Sequence, residues 1–371
     1  MKFSRIIYVL LAAALFGIAC NPYEIEIPNN NDNSGDTNTT PADPKPGDGE
    51  TEDDDYPVKY PDLKTPKVKT LLTNNFFTET IIKEGIVLYS AEMKTCEVTK
   101  AKQTVFVLEV DLNNEAYKIN FLKTTNDVVS SIAKRTPNTI AAINACYEAD
   151  ATYVRTNGYS WPEYTLTLDP DHLRFWKHEA AIVGDGERKI GIIYGAKGTS
   201  NNKDGGIQAL EIYKKLTEPN LFSSSPMLID DYKPVGTTFV PEPYNSMTLS
   251  QLSNSGLDSE DYRYHQAYRH PRTAMCVTED NDLLMITVDG RFSGKAEGMS
   301  AKELALFIQK HFNPRWAINM DGGGSTTMYI KGADTPCGVD GVVNHPCNSG
   351  STWTKANLRN LNTFFLIKYN E

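Results

Sequence analysis

The segment spanning residues 282–328 constrains this chain more than any other. Residues 283–288 (LLMITV) are apolar and partly β-branched and stop at Asp289-Gly290, the pattern of a buried strand meeting a turn. Ser300 and Glu303 then stand at capping-box spacing, and Leu304, Phe307 and Ile308 place an apolar stripe on one helical face. Pro314 stops that helix, and residues 315–320 (RWAINM) return as a strand ending at Asp321-Gly322. Strand, helix and strand of these lengths predict a crossover unit with two parallel strands. Asp289 and Asp321 then both stand at strand carboxyl ends, where open α/β sheets place ligands, and form a candidate catalytic pair.

Elsewhere the pattern is also mixed. Residues 104–112 (TVFVLEVDL) and 139–145 (TIAAINA) read as strands, and residues 166–193 as strands broken by turns at Asp169-Pro170 and Asp185-Gly186. Asn126 is placed to cap a short helix carrying Val128, Val129 and Ile132, which Pro137 ends. The expected class is α+β: a mixed β-sheet with βαβ crossover units in a single catalytic domain. Val110-Asp111, a helix and Ala142-Ile143-Asn144 parallel Val288-Asp289, a helix and Ala317-Ile318-Asn319. That parallel, which common strand residues would also produce by coincidence, raises the hypothesis of two related βαβ halves.

The first 20 residues read as processing information. Lys2 and Arg5 precede an apolar run, and small Ala19 precedes Cys20, as in a bacterial lipoprotein signal whose cysteine is acylated. Gly17 stands where that motif more often has Leu, and an ordinary secretory signal is the plainer alternative. Residues 21–60 hold eleven Asp or Glu against two Lys, so most of the formal charge of −10 belongs to this stretch. It has almost no large apolar residues and cannot offset its ordering entropy, which predicts a disordered acidic tether over 21–66 and a folded domain over 67–371. The expected location is the cell envelope, with the membrane reached through the lipid anchor. No dense basic run points to nucleic acid.

Five cysteines follow Cys20. Cys337 and Cys347 flank a short loop that a disulfide could close, while Cys146 and Cys276 sit in apolar runs as small buried hydrophobes. No Cys/His cluster has metal-ligand spacing, and neither a metal nor a cofactor is called for.

The strongest chemical signal is Asp321-Gly322-Gly323-Gly324-Ser325-Thr326-Thr327. Consecutive glycines after a strand expose backbone N–H groups that can cradle an anion, with Ser325 and Thr326 adding hydroxyls. The lysine of a P-loop is absent. Arg272 and Arg291 each lie beside a strand end, and a guanidinium fork suits phosphate.

The series His270-Pro271-Arg272-Thr273-Ala274, Thr287-Val288-Asp289-Gly290-Arg291, Gly298-Met299-Ser300 and 319–328 (NMDGGGSTTM) resembles the phosphodiester glycosidase family. Residues 141–145 (AAINA), 225–229 (SPMLI), Val343-Asn344, Arg359 and Asn362 continue the resemblance in the same order, whereas Ala145-Cys146 departs from the paired glycines usual there. The resemblance implies hydrolysis of the glycosidic bond in sugar-1-phosphate diesters of a phosphorylated carbohydrate. The leaving group is a phosphate monoester, so stabilising its charge outweighs protonating it. Asp289 and Asp321 would then act at the anomeric carbon or on water. Arg272, Arg291 and the Gly322, Gly323, Gly324 and Ser325 backbone would hold the phosphate, and Asn144 and Thr326 would orient hydroxyls. Glu148 is a lesser acid–base candidate. A non-catalytic phosphoglycan-binding lipoprotein is the alternative, and a metal-dependent phosphodiesterase ranks last.

Overall fold

The computed structural model describes residues 57–66, 76–147, 152–162, 169–235, 240–333, 340–350 and 352–370. Cys20, the tether before residue 57, Glu148 and Cys337 lie outside the described residues. In chain order the first strands are β1 (Thr78–Lys83), β2 (Ile86–Met93), β3 (Gln103–Asp111), β4 (Tyr117–Asp127), β5 (Thr139–Asn144), β6 (Val154–Thr156), β7 (Tyr159–Ser160), β8 (Ala180–Gly184) and β9 (Ile190–Ile193). They continue as β10 (Asn220–Ser224), β11 (Met227–Asp230), β12 (Lys233–Pro234), β13 (Arg272–Val277), β14 (Asp282–Val288), β15 (Trp316–Asn319), β16 (Met328–Ile330) and β17 (Leu361–Tyr369). The helices are α1 (Val129–Arg135), α2 (Asn202–Lys215), α3 (Leu249–Ser253), α4 (Tyr262–Ala267) and α5 (Ala301–Phe312).

The strands form an eight-stranded sheet, β1-β2-β3-β14-β13-β15-β11-β12, a five-stranded sheet, β7-β6-β10-β8-β9, and a four-stranded sheet, β16-β5-β17-β4. This is the expected α+β class. β3 shows why the apolar runs become strands buried on both faces. Phe106, Leu108 and Val110 enter the core shared with the four- and five-stranded sheets, and alternating Val105 and Val107 enter the core under α5. α5 is held by the Ser300/Glu303 capping box and by fully buried Leu304, Phe307 and Ile308. Each of those side chains contributes about 1.5–3 kcal/mol.

The crossover unit forms with one modification. β14 and β15 run parallel, but β13 lies between them and pairs antiparallel with both. The N-terminal helix differs more: its N-cap is Val128, and Asn126 is left-handed at φ 51° and caps nothing. Residues 57–66 also belong to the fold rather than to a tether. Val58 is buried against Gly191, where an added Cβ would stand 2.7 Å from its Cγ1, and the Tyr60 hydroxyl donates to Glu218 at 2.9 Å.

Two related halves exist, but their members differ from those expected. β3 belongs to the eight-stranded sheet, so Asp111 is not the counterpart of Asp289. The strand order β14-β13-β15-β11 repeats instead as β4-β17-β5-β16. Met227 faces Ile318 as Met328 faces Ile143, and Ala274 faces Asn319 as Phe364 faces Asn144. The irregular bonds match as well: Met320 N donates to Thr273 O at 2.8 Å, and Ala145 N to Thr363 O at 3.1 Å. α1 packs on β5 and β17 as α5 packs on the strands of its own sheet. The repeat escapes a linear reading because β16 and β17, the partners of β11 and β13, come last in the chain.

Candidate active site

The two halves meet where β5 and β15 end. Asp321 N donates to Ala145 O at 2.9 Å, so the strand ends are bonded to each other. The asparagines closing each strand brace the opposite half: Asn144 Nδ2 donates to Asp321 O at 2.6 Å, and Asn319 Nδ2 to the Tyr147 hydroxyl at 3.0 Å. A cavity of about 230 Å³ opens over this junction, lined by Tyr147, Asp321 and the backbone of Gly322, Gly323 and Gly324.

Four cations surround it: Arg174, Lys177, Arg291 and Arg359. Arg291 and Arg359 show why the glycines are needed. Gly323 adopts φ +61°, and a Cβ there would stand 3.0 Å from Arg291 Nη2, while one on Gly324 would stand 2.5 Å from Arg359 Nη2. The bare backbone lets two guanidinium groups lie against the turn beside Asp321. Lys177 is clamped between Glu260 Oε2, at 2.6 Å, and the Tyr147 ring, 4.2 Å from its centroid. Burial lowers its pKa, against the raising pull of Glu260. Arg174 reaches the same Glu260 oxygen at 3.3 Å.

His265 and His270 complete the wall, and burial, reinforced by Arg272, holds both well below the usual imidazole range. Arg291 Nη2 donates to His270 Nδ1 at 3.2 Å, which assigns the ring proton to Nε2. That Nε2 is itself buried and has no partner among the described residues.

Of the residues singled out in the sequence, Asp321, Arg291, Gly322, Gly323 and Gly324 line the cavity. The others do not. Asp289 is fully buried, and its carboxylate accepts from His345 N (2.9 Å), His345 Nδ1 (2.8 Å) and Asn344 Nδ2 (3.2 Å). Burial pushes its carboxyl up, against the opposing pull of His345. Its place is a latch between the β14 turn that carries Arg291 and the segment leading to Arg359, so the expected carboxylate pair is not assembled. Arg272 is also fully buried, donating to the carbonyls of Met299, His265 and Tyr268, and burial brings it down to about 10. It braces the wall and is not among the residues that line the cavity.

Asn144 Oδ1 accepts from Thr273 Oγ1 and Thr327 N, and the buried Thr326 hydroxyl lies 3.3 Å from that same Thr273 oxygen, to which it can donate, so both are braces. Ser325 is buried, with its Oγ 3.4 Å from Arg359 Nη1. The glycine turn offers fewer free amides than expected. Gly323 N is spent on Pro271 O and Ser325 N on Gly322 O, while the amides of Gly322 and Gly324 have no backbone partner among the described residues.

Arg174, Lys177, Glu260, Tyr147 and His265 were not assigned to the site from sequence, and His270 and Arg359 were noticed only through the family resemblance. The run RFWKHE at 174–179 carried the available signal: charged residues packed among aromatics. Cys146 and Cys276 are buried free thiols as expected, and Cys347 is free as well. Among the described residues no three His, Cys, Asp or Glu side chains gather as a metal site, and no helix is long and apolar enough to cross a membrane.

Residues 137–368 match the family model described as phosphodiester glycosidase. The catalytic domain of zebrafish N-acetylglucosamine-1-phosphodiester alpha-N-acetylglucosaminidase, auto-inhibited by its pro-peptide, has a similar fold. That comparison has TM-score 0.50 and 14% identity, over 85% of this chain and 89% of that one. A hypothetical protein from Synechocystis follows, with TM-score 0.47 and 12% identity, over 80% of this chain and 64% of that one. No curated protein sequence matches the chain significantly. The family match covers well over half of the sequence and includes Asp321, the glycine turn and Arg291: this chain belongs to the phosphodiester glycosidase family.

Proposed function

We propose that the protein hydrolyses the glycosidic bond of sugar-1-phosphate diesters in a phosphorylated envelope or environmental glycan. The observation that carries this reading is the ring of Arg174, Lys177, Arg291 and Arg359 around a cavity whose floor presents Asp321 and bare glycine backbone. Four cations stabilise a departing phosphate monoester far better than they would a neutral alcohol. In the proposed step a water oxygen bonds to the anomeric carbon and its proton passes to Asp321. The bond from that carbon to the phosphate oxygen breaks, and the pair of electrons leaves with the phosphate.

Product analysis tests the reading. A sugar-1-phosphate diester incubated with the purified protein is expected to yield free sugar and a phosphate monoester. Release of sugar phosphate would instead mean attack at phosphorus and would defeat the proposal.

One observation favours a second reading, capture of phosphoglycan without turnover. Asp289 is buried and does not line the cavity, and Glu260 is held by Lys177 and Arg174, so a pair of carboxylates of the kind glycoside hydrolysis ordinarily uses is not assembled among the described lining residues. Tight binding of the diester with no released sugar supports that role. The proposal includes a lipid anchor at Cys20, which holds the domain at the cell envelope on the acidic segment. Retention of radiolabelled palmitate by the wild type, and its loss in Cys20→Ala, tests the anchor.

A further inference from the structure

A second cavity, of about 350 Å³, lies on the other side of the wall that carries Arg291. Lys94, Lys102 and Lys295 line it together with the indole of Trp353, and Glu92 is the single acidic residue at its edge. The wall between the cavities is a small apolar cluster of Phe292, Ala296 and Cys347 with Trp353 packed on it. Cys347 Sγ lies 3.8 Å from Gly323 O on the active-site side, and Phe292 meets Trp353 edge-on at 4.9 Å on the other. The ring of Trp353 is further fixed by stacking on His345 at 3.7 Å, and His345 is the residue that holds Asp289. Lys295 Nζ stands 5.2 Å from the indole centroid. Lys102 Nζ donates to Gly294 O at 2.8 Å and steadies the turn that forms the wall.

A rigid indole beside three ammonium groups matches a ligand that alternates sugar rings and anionic groups. The ring supplies an apolar, polarisable face, and the lysines supply point charges for phosphate oxygens. We propose that this cavity is an accessory subsite for an anionic oligosaccharide, namely the phosphodiester-linked units beyond the bond that is cut. This rests on the hydrolase reading for its orientation and extends it: the substrate is a polymer rather than a single diester.

The test uses Lys94→Glu/Lys295→Glu, two exposed positions outside the active cavity. On a diester joining one sugar-1-phosphate to a small alcohol, kcat and KM stay at wild-type values. On an oligomer of phosphodiester-linked sugars, KM rises about tenfold with kcat unchanged. Equal KM changes on both substrates, or none on the oligomer, overturn the subsite. Binding is measured separately, by calorimetric titration of the oligomer into Asp321→Asn with and without the two lysine changes. Lost affinity supports the subsite even if the wild type hydrolyses nothing. Unchanged affinity overturns it and leaves the hydrolase reading standing. Inorganic polyphosphate of matched charge is expected to bind more weakly than the oligomer; equal affinity overturns the assignment to a glycan.

Discussion

The two halves share a strand order and a register, yet they bring different things to the junction between them. After Asn319 the chain continues with Asp321 and three glycines; after Asn144 it continues with Cys146 and Tyr147. One half supplies a carboxylate and a turn bare enough for two guanidinium groups to approach. The other supplies an aromatic wall that seats Lys177. The hinge-like turns before β11 and β16 diverge in the same way. Met328 N is satisfied by the neutral amide of Asn344, whereas its counterpart Met227 N is satisfied by Glu179. A repeated backbone thus fixes where strand ends meet, and its local sequence decides which end carries chemistry.

Removing the carboxylate from the chemical half should have the largest effect. Asp321→Asn is expected to lower turnover by at least about a hundredfold with an unchanged circular dichroism spectrum. A rate near wild type in that variant removes Asp321 from the mechanism. Arg359→Ala deletes the guanidinium over Gly324 and should raise KM by roughly ten- to a hundredfold, as for loss of a charge-assisted phosphate contact. If KM holds steady while stability falls, Arg359 is a brace only.

Asp289→Asn separates positioning from catalysis. A latch between the Arg291 turn and His345 should raise KM about tenfold, leave kcat within about twofold, and lower stability by about 1–3 kcal/mol. A collapse of kcat comparable to that in Asp321→Asn would restore Asp289 to the chemistry.

The smallest effect on turnover is expected at Glu179, where the halves differ by an amide against a carboxyl. Burial raises Glu179 to about 7, above its unfolded value near 4.5, so between these limits the native state binds the extra proton. The proton count then makes stability fall as pH rises through that window, by about 3 kcal/mol at most. Neighbouring His178, brought down to about 3 by burial, has the opposite slope below its unfolded value of 6.5. The difference between wild type and Glu179→Gln therefore isolates the carboxyl. Denaturant midpoints measured across pH 4.5–7 should converge on the acidic side and part on the alkaline side, with Glu179→Gln the more stable. Parallel profiles would show that Glu179 titrates normally.

Much of this could be read locally. The capping box of α5, its buried stripe, strands β3, β5, β14 and β15 and the glycine turn after Asp321 are written in residue spacing and turn chemistry, which act over a few neighbours. The family resemblance rested on the same short runs. Asn126 failed as a cap because the chain leaves β4 through a left-handed residue, and a cap must have extended backbone. Residues 57–66 are packed, although composition implied a tether there, because Val58 finds a partner in Gly191, far along the sequence.

What the sequence determined by itself was the set of elements, the glycine turn that leaves room beside Asp321, and the family. Only the tertiary structure decided that Asp321 faces the cavity while Asp289 is locked beneath His345, and that Arg174, Lys177 and Arg359 supply the charge. The reason is physical. Capping and periodicity depend on residues within a turn or two. Which strand end opens to solvent depends instead on the insertion of β13 between β14 and β15 and on loops that arrive from distant parts of the chain.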